Sequence, residues 1–369
     1  MDKPERLLSL DVFRGITICL MIVVNNPGSW EYVYAPLRHS AWHGCTPTDL
    51  VFPFFMFIVG SAMWYSFKKY GHSLSKGISI KVLRRTALIF LIGLALNAYA
   101  VHSVEWSNLR IMGVLQRIAL AYGLASFIVL VTRAKYAGII TGIILLVYWG
   151  VLVVFGGDSP FSLEGNFVRK FDIGVFGEGH IPIFAGIKFD QTGLLSTLPS
   201  IGNVLIGFLA GRLIDQSGNR TDAVKKLVIG GMACITVSLL WSLAFPINKP
   251  LWTSTFVLFT SGLALIFLGM LLWITDIKGY IKWTMPFRVF GMNPLFIYVL
   301  SIVLGITFGI EWVQSAAGEM ESVTNWLFAR LFEPLTGPKI GSLLYALSMA
   351  AFCWFVGWIL FKRRIYIKI

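Results

Sequence analysis

Long apolar runs broken by short polar stretches dominate this chain, and their lengths carry the first inference. A helix needs about 20 apolar residues to cross the hydrocarbon core of a bilayer. Ten segments meet that requirement: Leu7–Asn26, Leu50–Phe67, Val82–Ala100, Ile111–Val131, Ala137–Phe155, Leu198–Ile214, Leu227–Phe245, Thr253–Thr275, Val289–Ile310 and Ser342–Phe361. Two connections are long, Gly156–Thr197 and Glu311–Gly341, and both mix Gly, Pro, aromatic and charged residues. Long connections of that composition usually serve as lids or binding surfaces. The pattern predicts an all-α polytopic membrane protein with about ten transmembrane helices. It is expected to fold as a single transmembrane domain over 1–369, with long outside loops at 156–197 and 311–341.

Composition agrees with the pattern. Of the 369 residues 56% are hydrophobic and only 13% charged, and the mean hydropathy is +0.75. A soluble domain carries about 25% charged residues. The formal net charge of +13 would suit a nucleic-acid binder, but its distribution argues otherwise. With the N-terminus placed in the cytoplasm, 21 of the 31 basic residues fall in inside segments and eight in outside ones. That bias sets orientation by the positive-inside rule and predicts both termini cytoplasmic, with no basic face left for nucleic acid. The four cysteines are scattered without CxxC spacing, so neither a disulfide framework nor a zinc site is expected. The first apolar stretch holds Asp11 and Arg14 and is too long for a signal peptide, which makes it a retained first helix.

Polar residues inside spans are expensive and usually mark a pathway or a site. Asp11 and Arg14 stand at i,i+3, close enough to pair; an intrahelical salt bridge and a functional pair are both open. Arg14 and Asn25 share a face of that helix about 16 Å apart, and Asn25 also fits a helix C-cap before Pro27. Thr46-Pro47-Thr48-Asp49 reads as the opening of the second helix, with Asp49 at the capping-box position, so structural and catalytic roles both remain for it. His39 and His43 lie just ahead, outside. Their spacing could suit a metal on a helix, but the segment reads as a loop with no completing ligand, and no metal is expected. Gln116 and Arg117 are embedded in the fourth span, where Arg117 needs Asp11, Asp49 or a bound anion as partner. Arg110, Asp190, Lys249 and Trp252 of "PINKPLWTSTF" and Asn293 of "GMNPLFIY" stand at span entrances, where anchoring or capping could explain each.

The blocks "RLLSLDVFRGITICLMIVVNNPGSW", "PLRHSAWHGCTPTDLVFPFFMFIVG", "LRIMGVLQRIALAY", "NKPLWTSTFVL" and "GMNPLFIYVLS" resemble, in order, those of the heparan-α-glucosaminide N-acetyltransferase family and its bacterial relatives. The resemblance runs from the first predicted helix to the ninth. It implies transfer of an acetyl group from cytosolic acetyl-CoA to the amino group of an amino sugar or glycan on the other side of the membrane. It also implies that His39, not His43, is the active-site histidine and that Asn25 is the functional asparagine. Imidazole can act as general base or as acetyl carrier, Asn25 can donate to the tetrahedral oxygen, and Asp49 joins them as a catalytic candidate. Arg14, Arg110, Gln116 and Arg117 are candidates for acetyl-CoA; Asp190, Lys249, Trp252 and Asn293 are candidates for the acceptor. The lysosomal members carry a lumenal extension ahead of these blocks that is not found here, so a bacterial inner membrane is expected. Membrane lipids are implied partners, and the lysosomal members point to a homodimer. The rival reading is a secondary transporter or a flippase of sugars or lipid-linked sugars, which ten spans with buried polar groups also suit.

Overall fold

A computed structural model describes residues 7–101, 105–314 and 319–367. Lys3, Arg6 and Lys368, which the charge bias places inside, lie outside the described residues. The architecture is all-α. The helices are α1 (Leu8–Asn25), α2 (Val51–Lys68), α3 (Lys76–Tyr99), α4 (Val114–Val131), α5 (Ala137–Phe155), α6 (Phe167–Phe176), α7 (Thr197–Gln216), α8 (Arg220–Trp241), α9 (Ser254–Leu271), α10 (Met285–Met292), α11 (Pro294–Gly309), α12 (Val323–Leu327), α13 (Glu333–Thr336) and α14 (Pro338–Lys362). Strands occur only as two short antiparallel hairpins among the described residues: β1 (Ile183–Phe184) with β2 (Ile187–Lys188), and β3 (Glu311–Gln314) with β4 (Met320–Ser322).

Among the described residues eight helices are long and apolar enough to cross a membrane, and a bent pair makes a ninth. The expected span Val82–Ala100 falls in α3, which is 24 residues long and carries four cations in its first half. The expected span Val289–Ile310 is broken: α10 and α11 meet at 75°. Asn293 leaves helical geometry at φ −129°, ψ 53°, and Pro294 opens α11. Proline has no N–H for the preceding turn and its ring crowds the carbonyl four residues back, so the axis turns there.

The chain groups into two compact units built from discontinuous segments. The first comprises Met1–His39, Thr46–Phe52 and Tyr280–Lys368; the second comprises Ser40–Cys45 and Pro53–Gly279. In the first, α1 packs against α10, α11 and α14. Glycines allow the backbones to touch: a Cβ on Gly15 would meet the carbonyl of Phe287, and one on Gly291 would lie 2.3 Å from that of Asp11. In the second unit, α2 and α7 interlock the same way, Gly60 against Val204 and Gly207 against Phe57. Between apolar helices, where burial gives no advantage over lipid, such small-residue contacts supply dispersion and close packing.

Both long connections are built. The first holds α6 and the β1–β2 hairpin, and the second holds β3–β4, α12 and α13. A cluster of Tyr148, Leu152, Val168, Phe189, Phe245 and Leu251 seats the first connection on α5 within the second unit.

Candidate functional site

Polar residues gather in several places within each unit. In the first, Thr46 accepts from the Asp49 amide while the Asp49 carboxylate reaches back to the Thr46 amide, closing a capping box with Pro47 at the first turn. Asp49 is wholly buried, and its two oxygens divide the work. Oδ2 accepts from the Thr46 N–H at 2.9 Å and from the Thr46 hydroxyl at 3.0 Å. Oδ1 lies 2.7 Å from Nδ1 of His39. A neutral imidazole that donates from Nδ1 to a carboxylate carries its lone pair on Nε2, the tautomer a general base requires. The His39 side chain is 46% exposed, and the buried Asp49 carboxylate fixes its orientation. The structural and catalytic readings of Asp49 are therefore compatible.

On α1, Arg14 pairs with Asp11 at 3.1 Å and also donates to the Gly291 carbonyl at 3.2 Å. This intrahelical bridge ties α1 to α10. The cap of α1 is Asn26, not Asn25: its Nδ2 donates to the Ile22 carbonyl at 2.8 Å. Asn25 is exposed, and its side chain makes no hydrogen bond among the described residues. At the α10–α11 break, Asn293 donates to the Ile365 carbonyl and accepts from the Ile367 amide, fastening the chain after α14.

The second unit holds a buried polar cluster. Arg117, in the first turns of α4, is fully buried. Its Nη2 donates to the Ser196 hydroxyl and to the Gly193 carbonyl, and its guanidinium lies 4.7 Å from the Trp252 ring centroid. Nε and Nη1 have no hydrogen-bond partner, and among the described residues no carboxylate pairs with it directly. Trp252 is held at φ 52°, a left-handed conformation costly for a bulky residue. Its indole donates to Asn203 Oδ1 at 2.9 Å. The turn is set by buried Asn248, which accepts from Leu251 N at 2.7 Å and contacts Nδ1 of His43 at 3.2 Å. Burial pulls the His43 imidazole below its usual value.

Arg110 and Asp190 satisfy each other. They form a bidentate pair at 3.0 and 2.7 Å, with Arg110 also donating to Thr192. Burial opposes ionisation of Asp190, yet Arg110 and the Thr192 donors outweigh it and hold the carboxyl below the usual range. Gln116 is buried, packed where only Gly93 and Gly113 leave room, and its Nε2 has no partner. Lys249 is half-buried. Among the described residues no group of three or more His, Cys, Asp or Glu side chains converges as a metal site would require.

Sequence reasoning overlooked Asp172 on α6. Its Oδ1 accepts from the Leu194 and Leu195 amides at 3.1 Å each, while Oδ2 is buried without a partner. A Cβ at Gly193 would collide with that oxygen. Burial pushes the carboxyl up to about 7, against the pull of the two amides and of Arg117. A carboxyl whose folded pKa lies above its unfolded value of about 3.9 binds more protons when folded. Stability should then fall as pH rises from about 4 to 7 and level off above. Asp172→Asn keeps an acceptor for the amides, so it should flatten this dependence and raise the melting temperature at pH 8 more than at pH 5. A variant with the parent's slope would show that Asp172 does not titrate in this window.

The fold and these groups define a class: a polytopic membrane protein with an aspartate-oriented imidazole and a buried, partly unpartnered arginine. A family profile described as "Heparan-alpha-glucosaminide N-acetyltransferase, catalytic" matches residues 6–236, and the chain belongs to that family. The heparan-alpha-glucosaminide N-acetyltransferase of Homo sapiens is 28% identical over 376 residues, covering 84% of this chain and 54% of the relative. That of Mus musculus is 27% identical over 375 residues, covering 84% and 55%. The chain thus spans about half the length of the curated relatives it matches.

Proposed function

We propose that this protein transfers an acetyl group from acetyl-CoA to the amino group of an amino sugar or glycan, with His39 as the base. The observation that carries this reading is the 2.7 Å contact of His39 Nδ1 with buried Asp49. The amine nitrogen attacks the thioester carbonyl, and Nε2 of His39 takes its proton as the C–N bond forms. The C–S bond then breaks, and CoA leaves as the thiolate. Asn25, released from capping by Asn26, is the donor assigned to the tetrahedral oxygen. A two-step route through acetyl-His39 uses the same lone pair; direct transfer asks less of the site, because the base need only receive a proton. Arg117 is assigned to the donor, since its two unpartnered nitrogens leave its charge incompletely met.

Arg14 and Arg110 are weaker candidates for the donor, each being engaged by a carboxylate, and Asp190 is likewise a weaker candidate for the acceptor. Both termini are assigned to the cytoplasm of a bacterial inner membrane, with His39 outside and acetyl-CoA supplied from within. The broken α10–α11 pair adds to the features that suit the transporter reading. The Asn293 amide there is engaged by the backbone of residues 365 and 367, however, and the family match does not favour that reading. The test is incubation of the purified protein with radiolabelled acetyl-CoA and glucosamine. Labelled N-acetylglucosamine supports the assignment; glucosamine transport without acetylation would replace it by the transporter.

A further inference from the structure

The Asp49 carboxylate fixes how the His39 ring is turned, but where the ring sits depends on the backbone that carries it. That backbone is irregular. It leaves the short helical turn Ala35–Leu37 through an extended residue, Arg38, at φ −88° and ψ 148°, and His39 follows outside any helix or strand. A general base must lie within hydrogen-bond reach of the proton it takes, and a misplacement of about 1 Å can cost about a hundredfold in rate. The peptide joining Arg38 to His39 therefore has to be held as well as the ring.

The turn that opens α2 holds it. Thr46 Oγ1 donates to the Arg38 carbonyl at 2.7 Å, the peptide oxygen immediately before His39. Thr48 is buried, and its Oγ1 donates to the Pro36 carbonyl at 3.1 Å. Asp49 takes the ring itself. Thr46, Thr48 and Asp49 thus grip the segment 36–39 at successive points. Pro47, between the two threonines, stands in the first turn, and its ring locks φ there. Capping of α2 explains the bonds between Thr46 and Asp49. It does not require either hydroxyl to reach back to residues 36 and 38.

The Thr46 hydroxyl lies 2.7 Å from the Arg38 carbonyl and 3.0 Å from Asp49 Oδ2, and it has one proton to offer. That proton is shared between the backbone before His39 and the carboxylate that orients its ring, which couples the two. The Arg38 side chain ties the segment to the preceding loop: Nε and Nη2 donate to the Val33 and Glu31 carbonyls, each at 2.9 Å.

We infer that Thr46 and Thr48 are positioning residues for His39, holding its backbone through the Arg38 and Pro36 carbonyls while Asp49 holds its ring. This rests on the reading of His39 as the base. Neither hydroxyl is assigned contact with a substrate, so losing one should lower kcat and leave the acceptor KM in place.

The purified full chain, its histidines labelled for nitrogen NMR, is compared with Thr46→Val, Thr46→Ser, Thr48→Val and Thr48→Ser. Valine keeps the shape of threonine without the hydroxyl; serine keeps the hydroxyl. The spectrum reports the His39 tautomer, its signals identified by their loss in His39→Ala, and turnover gives kcat and KM. The wild type and both serine variants should show His39 as a single Nδ1–H tautomer. Each valine variant should show a mixture, with kcat lower by about tenfold, a hydrogen bond's worth. Its acceptor KM should stay within about twofold of the parent's. Thr46 is half-buried, so its variants decide the question alone if Thr48→Val does not fold. Valine variants with a lower melting temperature but the parent's tautomer and kcat would overturn the assignment, leaving both threonines a role in stability only. Equal loss in the serine and valine variants would overturn it too, because the hydroxyl would not be the cause. The tautomer is read without substrate. A threonine-dependent tautomer in a chain that does not acetylate would sink the acetyltransferase reading and leave the positioning of His39 standing.

Discussion

His39→Ala should lower acetyl transfer by about two to four orders of magnitude, the range a positioned general base contributes. The loss should appear with an unchanged melting temperature, because the ring is partly exposed and its removal opens no core cavity. Asp49 would retain its capping contacts with Thr46 in the variant. His43→Ala should be mild by comparison: it removes one contact to Asn248 and touches none of the assigned chemistry. Turnover with each variant, together with thermal unfolding, checks the pair. If His43→Ala were the dead variant and His39→Ala the active one, the base would be misassigned.

Arg117→Ala should produce the second large effect, a loss of CoA affinity or of the fold. The side chain is fully buried, bonded to Ser196 and Gly193 and stacked on Trp252. Its truncation therefore leaves a void and frees a strained turn. Arg117→Lys separates the two causes. It keeps the charge and much of the volume but loses the planar group that matches Ser196, Gly193 and the indole at once. A role in donor binding predicts weakened CoA binding in Arg117→Lys at near-normal stability. Normal affinity and normal stability in both variants would remove Arg117 from the site.

The fold class was legible because transmembrane helices announce themselves by length and apolarity alone. The Asn-Pro step at 293–294 was a readable breaker, but a continuous apolar run on both sides concealed the bend. The capping box at Thr46–Asp49 was legible residue by residue, since its signature is local. That the same carboxylate would also hold His39 was not, because nine residues, most of them irregular, lie between the two. Asn25 was weighed as a cap because it precedes Pro27, yet Asn26 took that role by reaching back to Ile22. The partner of Arg117 was sought in Asp11, Asp49 or a bound anion, whereas among the described residues the fold supplies a hydroxyl, a carbonyl and an indole face. Asp172 carried no signal in the sequence that set it apart, and its burial is what distinguishes it.

The proposed activity is transfer of an acetyl group from acetyl-CoA inside to an amine outside with His39 as the base, and sealed vesicles test it most directly. Acetyl-CoA is trapped inside vesicles of uniform orientation, and an impermeant amino sugar is supplied outside. The account predicts N-acetylated sugar outside with the wild type and a near-complete loss with His39→Ala. Product formed only when both substrates are outside, with none from trapped acetyl-CoA, would contradict it.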